Sequence, residues 1–209
     1  RHIGRVSHAC STPSRAVCCC FARHLAPRPL HSFPTRRSSD LIADDASTDL
    51  TATLEERVSG IEVVRPDSNQ GFVLNCNHAA QRTRGDYILL LNNDTAFTAG
   101  WLETLIATLD SDPTIGIVGP RLLFGDGKLQ EAGGIIWNDA SGWNFGREDD
   151  PEKPAYNYQR ETDYVSGACL MIRAPLWREL GGFDMRYVPA YYEDTDLCFA
   201  VRAMGYRVV

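Results

Sequence analysis

Short apolar runs alternate with amphipathic segments along the chain after residue 41. The run YILLL at residues 87–91 is bounded by a glycine turn and by Asn and Asp, which predicts a parallel strand covered on both faces. Further predicted strands lie at residues 61–64, 115–118, 165–173 and at the end of the chain. Predicted helices follow polar or glycine-containing turns at residues 50–59, 72–82, 102–109, 175–180 and 193–204. This alternation predicts an α/β fold with a mostly parallel sheet.

Two segments allow predictions about burial and about turns. In the first helix, Leu50, Leu54 and Val58 fall on one face, which we expect to be buried, and Gly60 can terminate it. In the second half, Asp126 and Gly127 predict a hairpin turn. Residues 134–164 are polar and aromatic with many turn formers, which predicts a long irregular loop. Its aromatic residues could stack on a sugar or pin the loop to the body; they are Trp137, Trp143, Phe145, Tyr156 and Tyr158.

The charge is divided unevenly along the 209 residues. Residues 1–41 contain seven Arg and one acidic residue, and the remainder contains 14 basic and 26 acidic residues. An acidic main body argues against nucleic acid as a partner.

No apolar run reaches the roughly 18 residues that span a bilayer, so we expect a soluble or peripheral protein without a transmembrane segment. Cys76, Cys169 and Cys198 stand singly in apolar surroundings, which predicts small buried thiols in a reducing compartment.

The first 41 residues have no sustained periodicity. Their Arg-rich, Ser-rich and acid-poor composition is compatible with a transit peptide. Residues 31–41, HSFPTRRSSDL, also resemble the translation of a common sequencing adapter. On the second interpretation, residues 1–41 are a non-native, disordered or poorly packed leader, and the native chain has lost its start.

Acidic and amide side chains follow two of the predicted strands. Asp44 and Asp45 end the apolar piece at residues 42–43, and Asn92, Asn93 and Asp94 end the run YILLL. Ligands of open α/β sheets bind beyond the carboxyl ends of the strands, so these side chains are placed for chemistry. The alternative is that they only satisfy backbone groups at the strand ends.

The segments IADDASTD and NQGFVLNCNHAAQRTRGDYILLLNNDT resemble the inverting family 2 glycosyltransferases with the GT-A fold. The resemblance covers residues 42–209 and is closest to bacterial enzymes that add rhamnose-like sugars to cell-surface polysaccharides. It implies a nucleotide-binding half at residues 42–119 and an acceptor-binding half at residues 120–209. The first strand of the fold and a C-terminal His-containing segment are missing, so the resemblance implies a fragment of weak or absent activity, truncated at both ends.

The same resemblance assigns roles in donor binding. Asp44 and Asp45 would bind the donor, with Asp45 on the base. Asn93 would contact the ribose, where many relatives carry Asp, and Asp94 would hold the Mg²⁺ or Mn²⁺ that bridges the donor diphosphate. These ions prefer hard oxygen ligands, and one or two carboxylates with substrate phosphates complete their shell.

The segment YYEDTDL resembles the family's ED motif, which makes Asp194 the catalytic base and Glu193 its acidic neighbour. Favourable interaction with the helix macrodipole is the alternative reason for acids in this first turn. Gly167, at the start of the predicted strand 165–173, would let the sugar or acceptor approach the backbone closely.

Together these features predict a metal-dependent inverting glycosyltransferase that moves a sugar from a nucleotide-diphosphate donor to a hydroxyl of a glycan or lipid-linked glycan. We expect it in the cytoplasm, with peripheral association to the inner face of the membrane left open. A nucleotidyltransferase is one alternative, although it would need a Gly-rich, Lys/Arg-bearing phosphate loop that residues 42–209 lack. A non-catalytic nucleotide-sugar or glycan-binding module is the other.

Overall fold

The computed structural model describes the backbone of residues 17–23 and 39–209, and the side chains from residue 41 onward. Its strands, in chain order, are β1 (Val17–Arg23), β2 (Ser39–Asp44), β3 (Ile61–Val64), β4 (Tyr87–Asn92), β5 (Ile115–Val118), β6 (Leu122–Leu123), β7 (Leu129–Glu131), β8 (Gly134–Ile136), β9 (Gly142–Asn144), β10 (Cys169–Arg173) and β11 (Arg207–Val208). The helices are α1 (Leu54–Arg57), α2 (Phe72–Ala80), α3 (Trp101–Ser111), α4 (Ala174–Leu180) and α5 (Glu193–Ala203). Short 3-10 turns lie at Leu50–Thr53, Pro154–Tyr156 and Met185–Tyr187.

In the described part of the chain, seven strands form the main sheet in the order β11-β5-β10-β4-β1-β2-β3. Strands β2, β3, β4, β5 and β11 share one direction, and β1 and β10 run opposite to them. The predicted α/β class is therefore confirmed, but most neighbouring strand pairs are antiparallel. Strand β10 is antiparallel to its neighbours because of its connection to β5. The chain leaves β5 at the carboxyl edge of the sheet, forms the small hairpins there, and re-enters the sheet from the same edge.

Strand β1 lies within residues 1–41, the segment that we expected to be a disordered or poorly packed leader, and it occupies the sheet position between β2 and β4. Val17–Arg23 pairs antiparallel with both β2 and β4. Between two parallel strands an empty position would leave two rows of unpaired backbone groups, and a short apolar run such as VCCCFAR can pair with both. The non-native origin of this segment stays a prediction.

Both faces of the sheet are buried, as the continuous apolar run predicted. Ile88 and Leu90 of β4 face α2, α4 and α5, whereas Leu89 and Leu91 face α3. The period of two along a strand produces this division. Cys76, Cys169 and Cys198 are buried, as expected.

Two local predictions were wrong. Leu50 and Val58 are 61% and 46% exposed, because the predicted first helix is a 3-10 turn followed by the four-residue α1. Such a short element presents no stripe to the core. The predicted loop at residues 134–164 contains the regular hairpin β8–β9, with Ile135 paired to Trp143.

Within the described residues no helix is both long and apolar enough to cross a bilayer.

Replacing Leu90 by Ala tests the assignment of the core. Leu90 is fully buried, so the cavity should lower the free energy of unfolding by about 2–5 kcal/mol. The control is Leu123→Ala, at a leucine that is 45% exposed, which should change it by less than about 0.5 kcal/mol. Urea unfolding followed by circular dichroism measures both, and equal losses in the two variants would contradict this packing.

Candidate active site

The polar ends of β2 and β4 lie at one edge of the sheet because these strands run in the same direction. Strand β10 runs the opposite way, so its first residues reach this edge too. The backbone N–H of Asn92 donates to the carbonyl of Ala168 at 2.9 Å. The loop that carries Asn93 and Asp94 therefore begins beside the segment that carries Gly167.

The Asp44 carboxylate is fully buried and holds its own loop together. It accepts hydrogen bonds from the backbone N–H of Ser47 at 2.9 Å and from the Ser47 hydroxyl. It also forms an ion pair with Arg65, whose guanidinium donates to the carbonyl of Ser47 at 2.7 Å. These contacts give Asp44 the local, structural role that the sequence left open, and its predicted contact with substrate stays a prediction.

Asp45 ties the β2 loop to the start of α2. Its two carboxylate oxygens accept from the backbone N–H groups of Gln70 at 2.7 Å and Gly71 at 2.8 Å. The side chain is only 2% exposed. Two N–H groups leave lone pairs on this carboxylate unused, so a contact with a base N–H is within its capacity.

Asn93 and Asp94 lie on an exposed turn that follows β4. Beneath them, the buried Oδ1 atom of Asn92 has no hydrogen-bond partner in the described structure. No cluster of three or more His, Cys, Asp or Glu side chains that could hold a metal occurs in the described residues. A free carboxylate next to amide oxygens fits Mg²⁺ or Mn²⁺ bound jointly by protein and phosphate, and does not form a closed protein cage.

Asp194 is held at the first turn of α5 by backbone groups from two elements. Its Oδ2 accepts from the N–H of Gly167 at 2.9 Å, and its Oδ1 accepts from the N–H of Thr195 at 2.6 Å. The side chain is half-buried. A carboxylate fixed in this way, with lone pairs remaining, is suited to accept a proton from a bound hydroxyl.

Glu193 is a buried acid beside Asp194. It is 6% exposed, and its Oε2 has no hydrogen-bond partner in the described residues. Burial, helped by the negative charge of Asp194, raises the pKa of Glu193 to about 7. Near neutral pH this carboxyl therefore retains its proton in a large fraction of molecules.

The segment before α5 packs on the start of α2. Tyr191 and Tyr192 both have left-handed backbone conformations, with φ of 83° and 68°, and Tyr191 is 85% exposed. The N–H of Val73 donates to the carbonyl of Pro189 at 3.2 Å. Because Gly71 also binds Asp45, the first turn of α2 connects the β2 loop to the α5 motif.

Gly167 has no packing requirement for glycine. A Cβ placed there would lie 3.5 Å from the Phe72 ring and 3.7 Å from the Cβ of Asp194, which are ordinary contacts. The fold itself would therefore accept a methyl group at this position. The predicted reason for glycine, close approach of a ligand to the backbone, stays a prediction.

Glu131 was missed by the sequence interpretation. It ends β7 and is 3% exposed. Burial and the charge of Asp194 raise its pKa to about 7. The available signal was the alternation in Leu-Gln-Glu, which places Glu131 on the same side as the buried Leu129, but three residues are too few for a confident strand.

Four of the aromatic residues singled out in the segment 134–164 form two pairs. The rings of Phe145 and Tyr156 pack edge to face with centroids 5.2 Å apart, so they pin the loop. Trp137 and Trp143 are 50% and 58% exposed and lie 6.5 Å apart, so they remain open to solvent on the β8–β9 hairpin.

The family model for glycosyl transferase family 2 matches residues 41–180. The chain belongs to glycosyl transferase family 2. The match contains the loops of Asp44, Asp45, Asn93 and Asp94 together with Gly167.

Relatives of this family 2 chain include an O-antigen biosynthesis protein, RfbC, of Myxococcus xanthus, which is 33% identical over 141 residues, 64% of this chain and 11% of the relative. An N-acetylglucosaminyl-diphospho-decaprenol L-rhamnosyltransferase of Mycobacterium tuberculosis is 25% identical over 194 residues, 79% of this chain and 62% of the relative. The chain thus spans about a tenth of the first relative and less than two thirds of the second.

Two solved structures confirm the GT-A fold. GalNAc-T7, solved with UDP, GalNAc and Mn²⁺, aligns with a TM-score of 0.65 and 16% identity over 81% of this chain and 35% of its own. The mannosyltransferase PcManGT of Pyrobaculum calidifontis, solved with GDP-Man and Mn²⁺, aligns with a TM-score of 0.59 and 20% identity, over 82% of this chain and 44% of its own.

The raised pKa of Glu193 predicts a stability that falls with rising pH. Between its ordinary value of 4.5 and about 7, the folded state keeps a proton that the unfolded chain releases. The free energy of unfolding should therefore decrease across this window, by up to about 3 kcal/mol from this group. Glu193→Gln should lessen that decrease in chemical denaturation series from pH 5 to 8.

The matched control is Glu56→Gln, at an exposed glutamate of α1, which should follow the wild-type pH profile. A Glu193→Gln profile as steep as that of wild type would contradict the assignment.

Proposed function

We propose that this family 2 domain catalyses metal-dependent, inverting transfer of a sugar from a nucleotide-diphosphate donor to an acceptor hydroxyl. The observation that carries the proposal is the position of Asp194, which is hydrogen-bonded to Gly167 next to the strand end that bears Asn93 and Asp94. A candidate base and a candidate metal ligand thus belong to adjoining segments at one edge of the sheet.

Donor binding is assigned to the carboxyl ends of β2 and β4. Asp45 contacts the base through the lone pairs that Gln70 and Gly71 leave free, and Asn93 contacts the ribose. Asp44 contributes by fixing the shape of the loop that presents Asp45. The bound UDP and GDP-Man of the two structural neighbours support a nucleotide-diphosphate donor.

Asp94, supported by the amide oxygen of Asn92, would hold Mg²⁺ or Mn²⁺ together with the donor diphosphate. The two neighbours solved with Mn²⁺ support this assignment. When bound, the ion would stabilise the negative charge that develops on the departing diphosphate.

Asp194 acts as the general base. It takes the proton of the acceptor hydroxyl while the hydroxyl oxygen forms a bond to the anomeric carbon, and the bond from that carbon to the diphosphate breaks with its electron pair. Attack from the opposite face inverts the configuration. The hydrogen bonds from Gly167 and Thr195 orient the carboxylate before the acceptor arrives, which reduces the reorganisation needed during transfer.

The acceptor is assigned to the half formed by residues 120–209. We place the reaction in cell-surface polysaccharide synthesis, with a lipid-linked glycan reached from the cytoplasm as the acceptor. The names of the diphospho-decaprenol rhamnosyltransferase and O-antigen relatives support this class of acceptor. The exposed Trp137 and Trp143 are suited to stack on sugar rings there.

Asp194→Asn tests the catalytic assignment. The amide keeps the size of the side chain but does not accept the proton, so transfer should fall by ~100- to 10,000-fold while donor affinity stays within about twofold. Transfer is measured as nucleoside diphosphate release from UDP-, GDP- and dTDP-sugars with a synthetic lipid-diphosphate-linked GlcNAc, and affinity by calorimetry.

Asp196→Asn is the control in the same helical turn, where the carboxylate accepts from the Tyr187 hydroxyl at 3.1 Å; it should retain most of the transfer rate. An Asp194→Asn protein that transfers at the wild-type rate would remove the catalytic role. Donor binding by wild type without any transfer would instead support the non-catalytic binding module.

Asp94→Asn tests the metal assignment. Loss of the one exposed carboxylate on this turn should raise the Mn²⁺ concentration for half-maximal donor binding by roughly 10-fold or more. Donor titrations over a series of MnCl₂ concentrations measure it, with Asp126→Asn on the β6–β7 turn as the exposed control. A metal dependence that Asp94→Asn leaves unaltered would contradict the role of Asp94.

A further inference from the structure

A cavity of about 420 Å³ lies beside the loops that carry Asp94 and Gly167. Its walls include residues 98–101, which lead from the Asp94 turn into α3, and residues 118–121, which end and follow β5. Val165, two positions before Gly167, forms part of another wall. A cavity of this size is large enough for a small ligand or for one group of a larger ligand.

The cavity and the loop of Asp45 lie on opposite sides of the Asp94 turn. Across the sheet the strands follow the order β5-β10-β4-β1-β2, so the end of β4 lies between the end of β2 and the cavity at the end of β5. Neighbouring strands are ~5 Å apart, which separates these three positions by ~10 Å each. A donor that reaches from Asp45 to Asp94 therefore leaves the cavity free for the acceptor.

The side chains around the cavity are positively charged, in contrast to the rest of the domain. Arg121 and Arg160 border it, and none of the described residues that border it is Asp or Glu. Residues 42–209 as a whole contain 14 basic and 26 acidic residues. Two guanidinium groups without a neighbouring acidic side chain in the wall favour an anionic ligand.

Arg160 has a guanidinium that its described neighbours leave unpaired. It stacks over the Phe145 ring at 3.9 Å from the ring centre, and its buried Nε has no hydrogen-bond partner in the described structure. Arg121, in contrast, donates to the carbonyl of Pro151 and to Oδ1 of Asn157, both at 2.6 Å. A stacked guanidinium keeps its N–H groups in its own plane, where they bind phosphate oxygens well.

Arg160 also borders a smaller hollow of about 180 Å³, in which the charges are already balanced. There Arg202 pairs with Asp163 at 2.9 Å, and Arg207 pairs with Glu161 at 2.6 Å. The larger cavity therefore combines Arg160 with a wall that, among the described residues, carries no acidic side chain.

We propose that the 420 Å³ cavity binds the diphosphate group of the acceptor, with Arg160 as its main ligand. This inference rests on the proposed function, in which the acceptor is a lipid-linked glycan. The glycan extends from the cavity past Val165 towards Asp194, and the donor occupies the other side of the Asp94 turn.

Two acceptors that differ only in the diphosphate test this assignment. One is GlcNAc linked through a diphosphate to a synthetic lipid, and the other is GlcNAc joined directly to the same lipid as a neutral glycoside. Arg160→Gln should raise KM for the diphosphate acceptor by ~10- to 100-fold and leave KM for the neutral acceptor and for the donor within about twofold.

Arg147→Gln is the matched control. Its guanidinium also packs over a phenylalanine, Phe124, at 5.0 Å from the ring centre, but Arg147 does not border the cavity. All KM values of this variant should stay within about twofold of wild type. Thermal melting of each variant shows whether it is folded.

Binding to the wild-type protein, measured by calorimetry without donor or metal, keeps the test decisive if Arg160→Gln does not fold. The diphosphate lipid should bind at least ~10-fold more tightly than the neutral glycoside. Equal affinities overturn the inference. It is also overturned by a folded Arg160→Gln protein with wild-type KM for the diphosphate acceptor, or with the same loss for both acceptors.

Two further titrations distinguish other sources of the anion. Metal-free UDP that loses at least ~10-fold in affinity in Arg160→Gln would assign the cavity to the donor diphosphate. A glucuronic acid glycoside of the same lipid that binds as tightly as the diphosphate lipid would assign it to the carboxylate of an acidic sugar. Either result overturns the inference.

The binding measurements also separate this inference from the proposed function. If wild type transfers sugar and Arg160→Gln changes neither acceptor, only the inference fails. If wild type transfers no sugar but binds the diphosphate lipid through Arg160, the diphosphate site stands and the transferase proposal fails.

Discussion

Carboxylates that accept hydrogen bonds from backbone N–H groups hold the functional edge of this protein together. Asp44 binds the N–H of Ser47, Asp45 binds those of Gln70 and Gly71, and Asp194 binds those of Gly167 and Thr195. Apart from the bond between Asp194 and Thr195, which lies within α5, each bond joins a strand end or helix start to a loop that the sheet alone does not fix. The loops are therefore ordered by the same type of group that the chemistry requires, and a single acid can serve both purposes.

Some of these acids fix loops and others are proposed to bind ligands. Their burial therefore differs, although they look alike in the sequence. Asp44 and Asp45 are buried and have their charges balanced by Arg65 or by amides, whereas Asp94 is exposed on its turn. A side chain that shapes a loop benefits from burial because its hydrogen bonds are then protected from water. The contact with diphosphate and a divalent ion that we propose for Asp94 requires an accessible side chain.

Much of the fold could be predicted because the spacing of apolar residues within single segments is regular enough to identify strands and helices. The run at residues 87–91 gave a strand covered on both faces, and α2, α3 and α5 followed from their apolar stripes. Long-range pairing could not be predicted in the same way. The reversed direction of β10 depends on where the chain travels between residues 119 and 168, and β1 pairs through backbone groups that any apolar segment possesses. Leu50 and Val58 show a different error. Their spacing is helical, but the element that forms there is too short to bury an apolar face.

For the candidate site, the acids that follow strands or begin a helix were predicted from their local positions and the family resemblance. The structure places the segments of Asp94 and Asp194 next to each other, and the roles of these residues stay predictions. The burial of Glu131 could not be predicted, because a strand of three residues gives too short a pattern. The surroundings of Asp44 and Glu193 likewise become visible only in the folded chain. Ser47 and Arg65 enclose the Asp44 carboxylate, and Oε2 of Glu193 has no hydrogen-bond partner among the described residues.

The left-handed backbone at Tyr191 and Tyr192 limits how the domain could be made more robust. Each such conformation costs a non-glycine residue on the order of 1 kcal/mol, and glycine would remove that cost. Selection for thermal stability alone would therefore favour glycine in place of Tyr191 and Tyr192, which immediately precede Glu193. Directed evolution of this domain should therefore meet a conflict at these two positions, where a gain in heat tolerance comes with the loss of two exposed aromatic side chains that precede Glu193 and Asp194.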